Sequence, residues 1–374
     1  MACLPWSDYF CSPFIEEKVM TKKLKIVNTV YGDASGGRWQ AMLNTHDALA
    51  SHGHEMWIVA GDENKHLNVG ERQFFSLNSS GFYDLVAAFK LNRWLRQVRP
   101  DVIIAHSGRA VYLFKNAMLF GGIIKAPVLA MNHSHNVKRT VRADGFIHIT
   151  PHVKSLVEQA AKKKGIHIED KPQAIISNLV YLPEQEPEFK SLGSLVTLGM
   201  MTRLVEYKGT HILIDAVGLL KAKGYQMRLL IAGDGEEKDN LIAQIQRLNL
   251  ENEVQFLGWI KGEQKTQFYH DVDIIVVPTM NDTQPLAILD AFAWGKPVVA
   301  SDHISVQQII RHGENGLMAR KNDAEDLAEK LSSLMNCSEK LKSTALAGYQ
   351  EALNKYQFKQ IAETLHKFVS HKLF

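Results

Sequence analysis

At 374 residues the chain is long enough for about two domains of roughly 150 residues each. Hydrophobic residues at 45% and charged residues at 22% exclude an intrinsically disordered chain, and a net charge of +3 is too small to argue for a nucleic-acid partner. The three cysteines, Cys3, Cys11 and Cys337, form no CxxC pair, which fits a reducing cytoplasm.

The first 19 residues contain Asp8, Glu16 and Glu17 and lack a basic start followed by an apolar stretch, so no secretory signal is expected there. Met20 opens a fresh segment, and residues 1–19 are expected to be an extension from an upstream start. The best apolar run, Ala117 to Ile124, holds two glycines and falls short of the 18 or so residues of a membrane span. From Leu24 onward short β-rich runs alternate with longer helical ones, the pattern of a parallel sheet wrapped by helices. The first half offers Lys25–Val30, Glu55–Ala60, Val102–Ala105, Val128–Met131, Gly145–Ile149 and Ala174–Ile176 as strands. Residues 181–194 hold two prolines, three glutamates and no periodicity, as an exposed linker would. The second half restarts with Leu195–Gly199, Arg228–Ala232, Val254–Leu257, Ile274–Pro278 and Val298–Ser301, and beyond about residue 323 it is helical. The expected organisation is an α/β chain of two facing Rossmann-like domains, 20–185 and 186–355, with a helix over 356–374 that crosses back to the first domain. Ligands in such folds bind at the carboxyl ends of the strands, here in a cleft between two units.

Gly36 and Gly37 sit where the first strand's loop turns into a helix, and can bring backbone amides close to a phosphate or sugar; a tight packing turn explains them equally well. The spacing is not GxGxxG and no acidic residue stands out after the second strand as a ribose ligand, which disfavours a dehydrogenase. Arg203 and Lys208 follow the first strand of the second half, and two cations at a strand end suit a diphosphate, although a solvated loop accounts for them as well. Asp282 and Asp290 are separated by seven residues; if a helix begins near Pro285, Asp282 precedes it and Asp290 lies within it on an apolar surface. A carboxylate there needs partners, which sugar and ribose hydroxyls supply, while the free amides of Thr283, Gln284 and Leu286 face a diphosphate. His133 with His135, and His148 with His152, suggest metal spacing, but no HExxH or carboxylate cluster supports it and no metal is expected.

The stretch from Pro278 to Ser301 resembles the retaining glycosyltransferases of family 4, whose hallmark is Glu-x7-Glu followed by Ala-x-Ala-x-Gly-x-Pro-Val; here it reads Asp-x7-Asp. Further matching positions in order are Gly36-Gly37, Gly53-His54, His106, His133, Asn178, Arg203, Lys208-Gly209, Gly233-Asp234-Gly235, Phe256-Leu257-Gly258 and Gly313 to Leu317. The resemblance implies a GT-B fold and metal-independent, cofactor-free transfer of a sugar from a nucleotide-sugar donor, with UDP-sugar favoured, and retention at the anomeric carbon. It assigns Arg203 and Lys208 to the diphosphate, Asp290 to the ribose, Asp282 and His133 to the reacting sugar, and Gly36, Gly37 and Gly233 to the donor loops, with His106 and Asn178 nearby. A saccharide or lipid-linked saccharide acceptor is implied, in lipopolysaccharide, capsule or other surface-polysaccharide synthesis, in the cytoplasm or against the inner face of its membrane. Tyr112–Lys125 and Lys162-Lys163-Lys164 are alternatives for that membrane contact, with a buried helix and a solvated helix end as the plainer readings. Two departures stand out: the shorter aspartates, each losing roughly 1.5 Å of reach, and Ile304 to Gln308, where relatives carry an acidic residue. A sugar-nucleotide-binding protein without transfer activity and a GT-B-fold sugar-nucleotide epimerase are the competing readings.

Overall fold

The computed structural model describes residues 22–31, 37–64, 69–120, 124–189 and 191–371. Residues 1–19 and Gly36 therefore lie outside the described residues.

The first sheet consists of β1 (Lys25–Thr29), β2 (Glu55–Ala60), β3 (Gln73–Ser76), β4 (Val102–Ala105), β5 (Val128–Asn132), β6 (Gly145–His148) and β7 (Gln173–Ile175). Its spatial order is β3-β2-β1-β4-β5-β6-β7, parallel throughout. The second sheet comprises β8 (Val196–Met201), β9 (Met227–Ala232), β10 (Val254–Gly258), β11 (Ile274–Val277), β12 (Val298–Ser301) and β13 (Leu317–Ala319), also parallel, in the order β10-β9-β8-β11-β12-β13. Parallel strands need crossovers that cover both faces of the sheet, which is why β4, β5, β11 and β12 are buried along their whole length and read as continuous apolar runs. The two strands absent from the sequence reading, β3 and β13, are edge strands of four and three residues, too short to show a period.

The first domain's helices are α1 (Gly37–Ala50), α2 (Leu85–Val98), α3 (Gly108–Leu119) and α4 (Pro151–Lys163). Three of them start on side-chain caps: Asp84, Ser107 and Thr150 accept from the amides of Ala87, Ala110 and Val153. The second domain adds α5 (Thr210–Ala222), α6 (Lys238–Arg247), α7 (Glu263–Asp271), α8 (Leu286–Ala293), α9 (Ala324–Met335) and α10 (Ser338–Glu351). A π-helical turn over Ala352–Tyr356 then redirects the chain into α11 (Phe358–His371). That helix packs against α1 and sinks Ile361, Leu365, Phe368 and Val369 into the first domain's core.

The described residues of 181–194 are irregular but not wholly solvated, as an exposed linker would be. Pro187 packs against Gly295, and the Phe189 ring meets Tyr349 at 6.1 Å. Just before this stretch the Val180 amide donates to the Tyr356 carbonyl and the Val180 carbonyl accepts from the Phe358 amide, so both crossings between domains are tied together.

Candidate active site

Strand order reverses between β1 and β4 in the first sheet and between β8 and β11 in the second. Loops leaving such a pair of strands diverge to opposite faces and open a crevice. The loops here carry His106 on one side, and Arg203, Lys208 and the Pro278–Pro285 segment on the other. Gly209 makes the Lys208 turn possible: its φ is +73°, and a Cβ there would stand 2.1 Å from the Pro278 carbonyl oxygen.

Asp282 and Asp290 both find cationic partners. The Lys208 ammonium donates to Asp282 Oδ2 at 2.5 Å, and Lys265 of α7 donates to Asp290 Oδ2 at 2.9 Å. All four side chains are largely withdrawn from solvent, between 17% and 37% exposed, so neither pair is a loose surface contact. The sequence offered ligand hydroxyls as partners, and the two lysines are additional ones that it did not offer. One correction concerns the helix start. α8 begins at Leu286 after Pro285, as anticipated, but the Thr283 amide is not free, because it donates to Asp282 Oδ1 at 2.9 Å. Arg203 donates to the Tyr207 hydroxyl at 2.9 Å, which holds its guanidinium at the mouth of the same loop.

Thr283 and Gln284 turn their side chains toward the first domain. Thr283 Oγ1 donates to the His133 carbonyl at 2.6 Å, Gln284 Oε1 accepts from the Asn178 amide at 3.0 Å, and Gln284 Nε2 donates to Ser177 Oγ at 2.8 Å. Gln308 Oε1 accepts from the His152 amide at 3.0 Å. This glutamine belongs to the Ile304–Gln308 segment singled out in the sequence, and its amide makes a further polar tie across the cleft. Gly37 lies opposite the start of α8: a Cβ on it would come 3.4 Å from Leu286 Cδ1. The structure thus brings Gly37, His133, Asn178, Lys208, Asp282, Thr283, Gln284 and Leu286 to one cleft.

His106 and His133 form a stacked pair joined by a hydrogen bond of 2.8 Å between His106 Nδ1 and His133 Nε2. Burial lowers both imidazoles, His106 well below its ordinary value and His133 to about 3, and Arg38 adds to both effects. Asn28 fixes the tautomers of this neutral pair. Its Nδ2 donates to the Met42 carbonyl at 2.8 Å, leaving Oδ1 to accept from His106 Nε2 at 2.7 Å. A neutral His106 protonated at Nε2 can only accept at Nδ1, so His133 carries its proton on Nε2 and keeps Nδ1 as an acceptor.

Gly233 has a structural requirement of its own. Its φ is +137°, and a Cβ would fall 1.7 Å from the Thr202 carbonyl oxygen, so this glycine lets the loops after β8 and β9 touch. His135, His152 and His303 approach one another across the cleft, with ring centroids 5.7 and 6.3 Å apart, and burial lowers the pKa of His135 and His303. No group of three His, Cys, Asp or Glu residues suited to a metal ion occurs among the described residues. His148 instead bonds Gln173 at 3.2 Å. Asn28, Arg38, Tyr207 and Lys265 join the site without having been singled out in the sequence. Asn28 alone left a clear signal, a polar residue within a buried β-run.

Comparison with known proteins agrees with this architecture. Residues 184–351 match the model of glycosyl transferases group 1, and residues 35–167 that of glycosyltransferase family 4. A lipopolysaccharide core biosynthesis glycosyltransferase of Rhizobium meliloti is 26% identical over 77% of this chain and 81% of its own. An uncharacterized glycosyltransferase of Haemophilus influenzae is 27% identical over 81% of this chain and 88% of its own. Among solved structures, Anabaena HepE in complex with UDP and glucose superposes with a TM-score of 0.76 at 20% identity, covering 93% of this chain and all of that one (100%). The lipopolysaccharide outer core galactosyltransferase WaaB, in its apo form, gives 0.71 at 17% identity, over 94% of this chain and 100% of its own. Two facing Rossmann-like sheets, the order of the motifs along them and both family matches lead to one assignment: the chain belongs to the family 4 glycosyltransferases and has their GT-B fold.

Proposed function

We propose that this glycosyltransferase moves a sugar with retention from a UDP-sugar to a hydroxyl of a surface-polysaccharide or lipopolysaccharide intermediate, without a metal ion. The observation that carries the reading is the convergence of Lys208, Asp282 and the start of α8 on Gly37 and His133 of the facing domain. The UDP bound to the structural neighbour HepE and the lipopolysaccharide assignment of the Rhizobium relative support the donor and acceptor classes.

The physical demand of the reaction is stabilisation of charge on the departing diphosphate as the anomeric carbon becomes cationic. In this reading Lys208 and Arg203 neutralise the phosphates, joined by the unpaired amides at the start of α8. Lys208 can bridge a phosphate oxygen and Asp282, which fixes Asp282 against the sugar hydroxyls. Asp290 holds the ribose through the oxygen that Lys265 does not take. Gly37 lies over the sugar, and His133 hydrogen-bonds it. The bond from the anomeric carbon to the phosphate oxygen breaks as the acceptor oxygen bonds the same face, and the acceptor's proton passes to the departing phosphate. No protein nucleophile is required.

The test is a screen of UDP- and GDP-sugars by mass spectrometry and nuclear magnetic resonance, with and without EDTA, on the native chain and on Asp290→Ala. The expected result is slow, EDTA-resistant release of UDP and of free sugar with unchanged anomeric configuration, reduced at least about tenfold in the variant, as loss of one charged hydrogen bond of about 1.5–3 kcal/mol requires. Failure of every donor to bind or turn over would overturn the reading, and conversion of the donor to its epimer would replace it with an isomerase.

A further inference from the structure

The turn that carries Lys208 holds one more polar side chain, the Tyr207 phenol. Glu206–Lys208 is a single 3-10 turn, closed by the Lys208 amide on the Val205 carbonyl and the Gly209 amide on the Glu206 carbonyl, both at 3.0 Å. The Tyr207 carbonyl accepts from the Met280 amide at 2.7 Å and from Thr279 Oγ1 at 3.4 Å, which ties the turn to the segment leading to Asp282. The backbone of Tyr207 is thus fixed from the end of β11, and its ring has a set direction. That direction brings two cations to it. Arg203 Nη2 donates to the hydroxyl at 2.9 Å, and the Lys208 ammonium stands 5.7 Å from the ring centroid. Tyr207 is 37% exposed, so the ring lies at the surface of this loop cluster and not in the core.

A phenol is acceptor and donor at once. Its oxygen takes the Arg203 N–H through a lone pair, which leaves its own proton to be given to another group. A guanidinium that donates to the oxygen draws electron density from it and makes the O–H a stronger donor. The acceptor that suits a polarised O–H beside a guanidinium and an ammonium is an anionic oxygen. We propose that Tyr207 is a donor-binding residue whose hydroxyl, polarised by Arg203, donates to an oxygen of the donor diphosphate. The proposal deepens the transferase reading and rests on it for the identity of the ligand. Arg203 and Lys208 supply charge in that reading, and the phenol supplies a directed hydrogen bond that strengthens as negative charge collects on the departing phosphate. No proton leaves Tyr207, and the site gains a donor without gaining a third cation.

The experiment is calorimetric titration of UDP and of GDP into the full chain and into Tyr207→Phe, which removes one oxygen and leaves the ring and the carbonyl contacts in place. The nucleotide that binds the native chain is expected to bind the variant about tenfold more weakly, as loss of a hydrogen bond to a charged acceptor implies. The matching nucleoside, which lacks the diphosphate, is expected to bind both proteins alike, and the thermal midpoint is expected to stay within a few degrees. Arg203→Gln supplies a second background. Because the hydroxyl bonds the phosphate itself, adding Tyr207→Phe there is expected to cost about a further threefold, the smaller factor reflecting a phenol that the guanidinium no longer polarises. No further loss in that background would reduce Tyr207 to a prop for Arg203 and overturn the proposal. Equal nucleotide affinity in the native chain and Tyr207→Phe overturns it too, as does an equal loss for nucleoside and nucleotide. Failure of the native chain to bind either nucleotide overturns the transferase reading, and the proposal with it.

Discussion

The most consequential single side chain outside the charged loops is Asn28, because it decides which nitrogens of two histidines carry protons. It is fully buried in β1 between the Met42 carbonyl and His106. Replacing it by leucine leaves the His106 Nε2 proton without an acceptor, at about 1–3 kcal/mol, and removes the side-chain donor of the Met42 carbonyl, which helix α1 still pairs. Asn28→Leu is therefore expected to lower the urea midpoint. It should also lower kcat while changing UDP affinity little, because the tautomer of His133 is no longer imposed. Asn28→Asp discriminates a positioning role from a merely structural one. A carboxylate at that point favours the imidazolium form of His106, raises its pKa and moves the acid limb of the kcat profile to higher pH. An acid limb identical to that of the native chain would exclude Asn28 from any influence on the pair. The sequence held half of this arrangement. His106 and His133 stand at strand ends, where ligands meet parallel sheets, but their contact spans 27 residues, and no local pattern encodes which nitrogen faces which.

α11 shows how an element can be legible in type and not in attachment. Its apolar positions recur at helical spacing, yet the histidines that seat it belong to the loop before β2. His54 Nδ1 accepts from the Leu24 amide at 3.2 Å, and its Nε2 therefore donates to His366 Nδ1 at 2.9 Å. His52 reaches Glu363 at 3.1 Å. Burial, reinforced by the neighbouring imidazoles, lowers His54 to about 4, and burial also lowers His46 on α1 to about 4. Because the folded chain keeps these rings neutral, the unfolded chain binds more protons between pH 6.5 and about 4. Stability is complete above pH 6.5 and falls as the pH drops toward 4, by at most about 1.4 kcal/mol per pH unit for each ring. The urea midpoint is expected to be flat from pH 8 to 7 and to decline below 6.5. His54→Gln should be less stable than the native chain at pH 7.5 but lose less between pH 7 and 5. Parallel declines in the two proteins would show that His54 does not drive the acid sensitivity.

At the scale of the molecule, both Rossmann-like sheets were legible because their buried parallel strands are uninterrupted apolar runs, whereas the closure of one domain on the other was not. Gln284 meets Asn178 across 106 residues and Gln308 meets His152 across 156, and neither glutamine sits in a pattern that specifies a partner. The cleft is held by these bonds and by Thr283 on the His133 carbonyl, each contributing about 0.5–1.5 kcal/mol net. A closure held by a few such bonds can be opened by removing them without unfolding either sheet, since the two cores are separate clusters. Gln284→Leu/Gln308→Leu is accordingly expected to keep the native thermal midpoint within a few degrees and to show a larger radius of gyration by small-angle scattering. It should lose at least tenfold in kcat/KM while retaining most of its UDP affinity, because Lys208, Asp282 and Asp290 all reside on one domain. Saturating UDP-sugar should recover part of the compactness if the donor binds as proposed, with Gly37 on one side and Lys208 on the other, because it then rebuilds the link the glutamines supplied. Unchanged scattering together with native kcat/KM would mean that the α11 crossing alone holds the cleft closed, and would move the hinge from the glutamines to the π-helical turn at Ala352–Tyr356.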